Sequence, residues 1–146
     1  MISNPITQLE QLTINSTAKN FLKETAKWAK FLSIIGFVLI GLMLVFAVFA
    51  TTIFDLAAKM QPDMPESLGL VMTITYLVLA IIYFFPVYYL FKFSTKMKSA
   101  LATKNEDTLM KAFEMLKSHY KFIGVFTVIT LSLYALVIVL AALGAL

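Results

Sequence analysis

This chain has no cysteine and no arginine. Without cysteine it forms no disulfide, holds no thiolate-bound metal and runs no thiol chemistry. Arginine is the side chain that grips phosphate or carboxylate with a planar, two-pronged fork. Its absence weakens a nucleotide or nucleic-acid reading, although the net charge is +4 and a basic balance in a soluble protein points that way. Charge itself is scarce. Only 14% of the 146 residues are charged and 60% are hydrophobic, against roughly 25% charged in soluble domains. A water-facing surface is not built from so little charge, whereas lipid solvates apolar side chains readily.

What is present is length without charge. Residues 31–54, 68–91 and 122–146 contain no Asp, Glu, Lys or His. Each exceeds the roughly 20 apolar residues that carry a helix across a bilayer. The fold class expected is an all-α integral membrane protein, with three transmembrane helices and amphipathic helical extensions on the cytoplasmic side. Residues 1–15 read as a separate polar or interfacial segment. There Asn4-Pro5 can open a short helix with Ile6, Leu9 and Leu12 on its apolar edge. Residues 16–146 form one three-helix transmembrane domain, with a helical hairpin around 92–121. A cleavable signal is not expected, because the start lacks a basic region followed by a short apolar core.

Lysine placement orients the spans. The segment before the first span carries Lys19, Lys23, Lys27 and Lys30 against Glu10 and Glu24. The connection between the second and third spans carries Lys92, Lys96, Lys98, Lys104, Lys111, Lys117 and Lys121 against three acids. The remaining connection, 55–67, holds Lys59 against Asp55, Asp63 and Glu66. Basic residues near span ends favour the cytoplasmic side. The N-terminus and 92–121 are therefore expected inside, and the C-terminus outside. Trp28, Tyr88, Tyr89 and Tyr120 fall at the same ends, where amphipathic rings suit the membrane surface. Lys92, Lys96, Lys98, Lys117 and Lys121 join them as membrane-surface candidates.

Helical spacing continues past the spans. Ser16 can cap a helix with Phe21, Thr25, Trp28 and Leu32 on one face. Phe93, Met97 and Leu101 extend the second span. A break follows at Thr103-Lys104-Asn105, where Asn105 caps the next helix and Glu106 and Asp107 suit its positive end. Leu109, Phe113, Leu116 and Tyr120 then form an apolar stripe. The favoured arrangement packs this hairpin against the Phe21/Trp28 face. The alternative lays the helices flat on anionic lipid.

Helices in lipid associate through small residues and hydroxyls, because apolar burial gains nothing there. Gly69, Thr73, Tyr76, Ala80, Tyr83 and Val87 share one face of the second span. Gly124, Thr127, Ala135 and Ala142 share a face of the third. Ser33, Gly36, Ala47 and Thr51 do so more loosely in the first. Pro86 removes one backbone hydrogen bond and is expected to bend the second helix near its cytoplasmic end.

The chemical motifs are few. Ion-coupled transporters and pumps need ionisable groups within the membrane, and the three spans have none. His119 is the only histidine, so paired-histidine haem ligation is excluded. Ser16 and Lys19 have the spacing of a serine acyl-enzyme motif, but its companion motifs are missing and Ser16 reads as a helix cap. Met60 and Met64 flank the outer loop without a histidine, so no metal site is assigned. The aromatic run from Tyr83 to Phe91 reads as packing and belt rather than as a ligand pocket. No catalytic residue, cofactor or metal is expected.

Lys27-Trp28-Ala29-Lys30, the run Phe85-Pro86-Val87-Tyr88-Tyr89-Leu90-Phe91-Lys92-Phe93 and the run Leu116-Lys117-Ser118-His119-Tyr120-Lys121-Phe122-Ile123-Gly124 together carry a resemblance. Over residues 17–145 the chain resembles a family of small three-span membrane proteins of unknown function from Bacteroidota. The resemblance implies a bacterial inner-membrane location and brings no activity with it. The expected function is a non-enzymatic scaffold or accessory subunit. Its partners would be membrane lipid and either further copies of itself or a larger envelope complex, and no nucleic acid. The second expectation is a passive homo-oligomeric channel or apolar-solute carrier lined by Thr73, Tyr76 and Tyr83. The third is a lipid binder at the surface lysines.

Overall fold

The computed structural model describes residues 14–61, 65 and 67–144. The expectations for residues 1–13 and for Met64 lie outside this set. Three helices account for nearly all of it: α1 (Ser16–Met60), α2 (Leu68–Thr103) and α3 (Glu106–Ala142). All three are long and apolar enough to cross a membrane. At 45 residues, α1 is about 67 Å long at 1.5 Å per residue. That is roughly twice a hydrocarbon core of about 30 Å, so much of the helix extends beyond it.

Asn15, rather than Ser16, caps α1. Its side-chain oxygen accepts from the Ala18 N–H at 2.7 Å, and Ser16 becomes the first helical residue. Either residue type satisfies a free N–H at a helix start, but the Lys19 N–H that Ser16 would cap already donates to the Asn15 carbonyl at 3.0 Å. At the other end α1 does not stop where its apolar stretch stops. It runs on through Asp55 and Lys59 to Met60, because the charges leave helical geometry intact and Pro62 is the first residue to oppose it. The α2–α3 turn follows expectation. Lys104 takes the left-handed conformation (φ 53°), and Asn105 accepts from the Thr108 N–H at 2.8 Å. The helix α2 runs through Pro86 without interruption.

The helix α2 lies between the other two, packing against α1 and against α3. At the lysine-rich end one buried cluster joins all three: Ala26 and Ala29 of α1, Phe93 and Met97 of α2, and Ala112 of α3. The expected hairpin packing therefore exists, but through a different face of α1. Phe21 and Trp28 are 65% and 57% exposed, while Ala26, Ala29 and Ser33 are buried. Large rings would hold the helices apart, and alanine and serine let backbones approach. The α3 stripe is met in half. Leu109 and Leu116 pack inward, with Met115, around the fully buried Ala112, whereas Phe113 and Tyr120 are exposed.

Candidate helix-packing and membrane-surface sites

A single seam runs the length of α1. Ala26, Ala29, Ser33, Gly36, Ile40, Met43, Ala47, Ala50 and Phe54 are all buried or half-buried, and they alternate in steps of three and four. That is the 3.5-residue period of a left-handed coiled coil, here built largely from small side chains. Two glycines set the closeness. A Cβ on Gly36 would lie 2.6 Å from a Val87 methyl of α2, and one on Gly69 would lie 3.0 Å from the Thr51 Cα. The first contact is shorter than real Cβ atoms show, so Val87 or the helices would have to shift, and the second is tight against backbone that would have to give by a few tenths of an ångström.

Polar groups in the seam are satisfied locally. Ser33 and Ser94 are fully buried. Their hydroxyls donate to the Lys30 and Phe91 carbonyls at 2.7 and 2.9 Å. Thr73 Oγ1 lies 3.0 Å from the Gly69 carbonyl and 3.1 Å from the Ala47 carbonyl. The second contact crosses from α2 to α1, and one hydroxyl proton is shared between the two oxygens. Among the described residues, no buried side-chain nitrogen or oxygen lacks a partner. Such satisfaction matters where water is excluded, since an unpaired polar group there is costly.

Aromatic contacts fill in around the small residues. Phe46 of α1 stacks on Tyr76 of α2 with centroids 6.1 Å apart. Phe37 of α1 lies near both Phe84 and Phe91, at 6.1 and 5.8 Å. Phe85 faces the other way and stacks on Phe122 of α3 at 5.9 Å. The Tyr83–Phe91 run thus serves both flanking helices. Ala80 is buried in the α1 seam, while Tyr83 is 47% exposed on a different side.

The α2–α3 contact carries one feature that spacing did not reveal. His119 Nδ1 lies 2.8 Å from the Pro86 carbonyl oxygen. A carbonyl only accepts, so Nδ1 carries the proton and donates. The bond ties α3 to α2 at the proline. A lone histidine 33 residues away in sequence offers no local pattern linking it to Pro86. The available hint was their common placement near the lysine-rich ends of antiparallel helices.

Beyond this clasp α3 packs on little. Gly124, Thr127, Ala135 and Ala142 are all exposed, as is every residue from Leu131 to Val139. A Cβ added to Gly124 meets no atom within 4 Å. The small-residue face of the third helix therefore does not meet α1 or α2. At the surface positions, Trp28 packs edge-on to Phe31 at 5.9 Å, and Lys92 Nζ sits 5.4 Å from the Tyr88 ring centre. Tyr89, Lys92 and Lys96 are half-buried, and Tyr88, Tyr120, Lys98, Lys117 and Lys121 are exposed.

No curated protein and no solved structure matches the chain. A family of unknown function (DUF5362) matches residues 67–142. The match takes in α2, the turn and α3, and leaves α1 outside, a shorter span than the resemblance above. It covers just over half of the chain, and the protein belongs to this family of unknown function, DUF5362.

Proposed function

We propose that the protein is a small, non-enzymatic scaffold or accessory subunit of a bacterial inner membrane, spanning it three times with the N-terminus cytoplasmic and the C-terminus outside. It would act by associating with further copies of itself or with a larger envelope complex. The observation that supports this reading is the division of labour along α3. Its lysine-rich half is clasped to α2 by Ala112, His119 and Phe122. Its other half presents Gly124, Thr127, Ala135 and Ala142, all exposed, on one helical face. Small residues on a membrane helix allow a second helix to approach closely. A passive channel draws less support. The Thr73 hydroxyl is already engaged by two carbonyls of the α1–α2 seam and Tyr76 is half-buried against Phe46, which leaves exposed Tyr83 as the one expected lining residue outside that seam.

The test is native mass spectrometry of the protein after gentle detergent extraction, comparing wild type with Gly124→Leu and Ala135→Leu. Wild type should travel as a defined heteromeric complex or homo-oligomer, and the leucine variants should fall to smaller species. Unchanged assembly in both variants would remove this face from consideration, and a strictly monomeric wild type would refute the proposal.

A further inference from the structure

At the lysine-rich end a groove of about 770 Å³ lies between the first turns of α1 and the last turns of α2. Its charged lining is Lys19, Lys23 and Lys27 of α1, Lys98 of α2 and one acid, Glu24. Four lysines against one glutamate leave it a formal charge of +3. Trp28, Leu101 and Ala102 supply an apolar wall. This is not the lysine set that spacing alone singled out. Lys117 and Lys121 belong to another helix and do not line the groove, while three lysines of α1 do.

We propose that this groove binds the phosphate headgroup of an anionic phospholipid. The charge argues for an anion. Lysine is a compact point charge on a flexible stem, and a cluster of such charges suits a headgroup phosphate that needs no bidentate geometry. The position argues for lipid as the source of that phosphate. Trp28 is the belt residue of α1, and from Phe31 onward the helix carries no charge until Asp55. Lys27 and Trp28 thus sit where hydrocarbon gives way to headgroups, and Lys23 lies one turn further out. Lys98 follows Met97, which shares the buried cluster with Ala26, so it reaches the same level from α2. A basic recess between membrane helices at this depth is the arrangement that holds anionic headgroups. The inference rests on the membrane reading of the three helices and not on the scaffold role.

The experiment is native mass spectrometry of the full-length protein in neutral detergent, titrated with phosphatidylglycerol, with phosphatidylcholine and with inorganic phosphate. Phosphatidylglycerol should remain bound and phosphatidylcholine should not. At about fivefold per lysine near the surface, the triple variant K23Q/K27Q/K98Q should weaken phosphatidylglycerol about a hundredfold. The matched variant K111Q/K117Q/K121Q, with the same charge loss elsewhere, should stay within threefold of wild type. The variant K23R/K27R/K98R keeps the charge and should retain the lipid, which separates lost binding from lost folding. Equal weakening by the two glutamine triples would overturn the site in favour of diffuse surface charge. Displacement of the lipid by equimolar inorganic phosphate would overturn the lipid as its occupant. Failure of lipid retention alone leaves the assembly behaviour of the Gly124 and Ala135 variants unaffected, so the two readings fail separately.

Discussion

Alanine at position 36 should loosen the α1–α2 seam, and the structure says by how much. The added Cβ would sit 2.6 and 2.9 Å from the two Val87 methyls. Valine in a helix has essentially one χ1 rotamer, so Val87 cannot swing aside, and the helices must separate by several tenths of an ångström. Overpacking of this kind costs about 1–3 kcal/mol. Alanine also favours the helix over glycine by about 0.5–1 kcal/mol, which leaves a net loss of up to about 2.5 kcal/mol. Val87→Ala removes both offending methyls. The nearest remaining atom is then the residue-87 Cβ at 3.4 Å, an ordinary contact. The double variant should recover most of the loss, giving a coupling equal to the overpacking term, about 1–3 kcal/mol, between positions far apart in sequence. Reversible unfolding in mixed micelles of rising dodecyl sulfate would measure it, read by the fluorescence of Trp28, the only tryptophan. Additive behaviour, within about 0.3–0.5 kcal/mol, would refute the contact. The cysteine-free chain permits a second reading of the same geometry. In G36C/V87C the two Cβ atoms would lie about 3.4 Å apart, at the short edge of the range that disulfides span. Mild oxidation should close an intramolecular bond, and none would form if the register were wrong.

Two further perturbations probe the turn and the clasp. Lys104 occupies a left-handed position (φ 53°) where a side chain is unfavourable, so Lys104→Gly should raise stability by about 0.5–1 kcal/mol in the same titration. His119→Phe keeps a ring and loses the donor to the Pro86 carbonyl, and should cost about 0.5–1.5 kcal/mol. His119→Gln retains an N–H donor and should recover part of that loss.

The long features were legible because length and lack of charge write them directly into the sequence. Charge-free stretches mark the three helices, and Asn105 followed by two acids marks the start of α3. The Phe93/Met97/Leu101 stripe also reads directly, since those residues meet the cluster at the lysine-rich end. What did not read was the choice of buried face. In water, the largest apolar side chains point inward because their burial is the driving force. Around Trp28 and Phe21 that rule selects a side that lines an open groove with Leu116 and Tyr120 of α3 but is not the buried one. The inward side is Ala26 and Ala29, which carry little hydrophobic signal individually. Their regular steps of three and four, continued through Ser33, Gly36 and Ile40, were the available sign. The His119–Pro86 bond depends on the antiparallel pairing of α2 with α3, and no local spacing encodes it.

The same inversion decides how α3 should be interpreted. Nine consecutive exposed residues from Leu131 to Val139 would signal a missing partner in a soluble protein. In a bilayer they do not, because lipid tails are as apolar as leucine and the exposure has no cost. Association would therefore depend on the glycine and alanines of that helix and not on its leucines. Gly124 makes this separable. A Cβ there meets nothing within 4 Å, so Gly124→Leu should leave the α1–α2–α3 packing largely intact and act mainly on what lies outside it. Leu131→Ile and Leu133→Ile change shape on the same segment while leaving it fully apolar. If association is carried by close helix approach, Gly124→Leu and Ala135→Leu should disrupt it and the isoleucine variants should not. If all four behave alike, the free half of α3 is simply a lipid-facing span, and any partner must be held at the lysine-rich end.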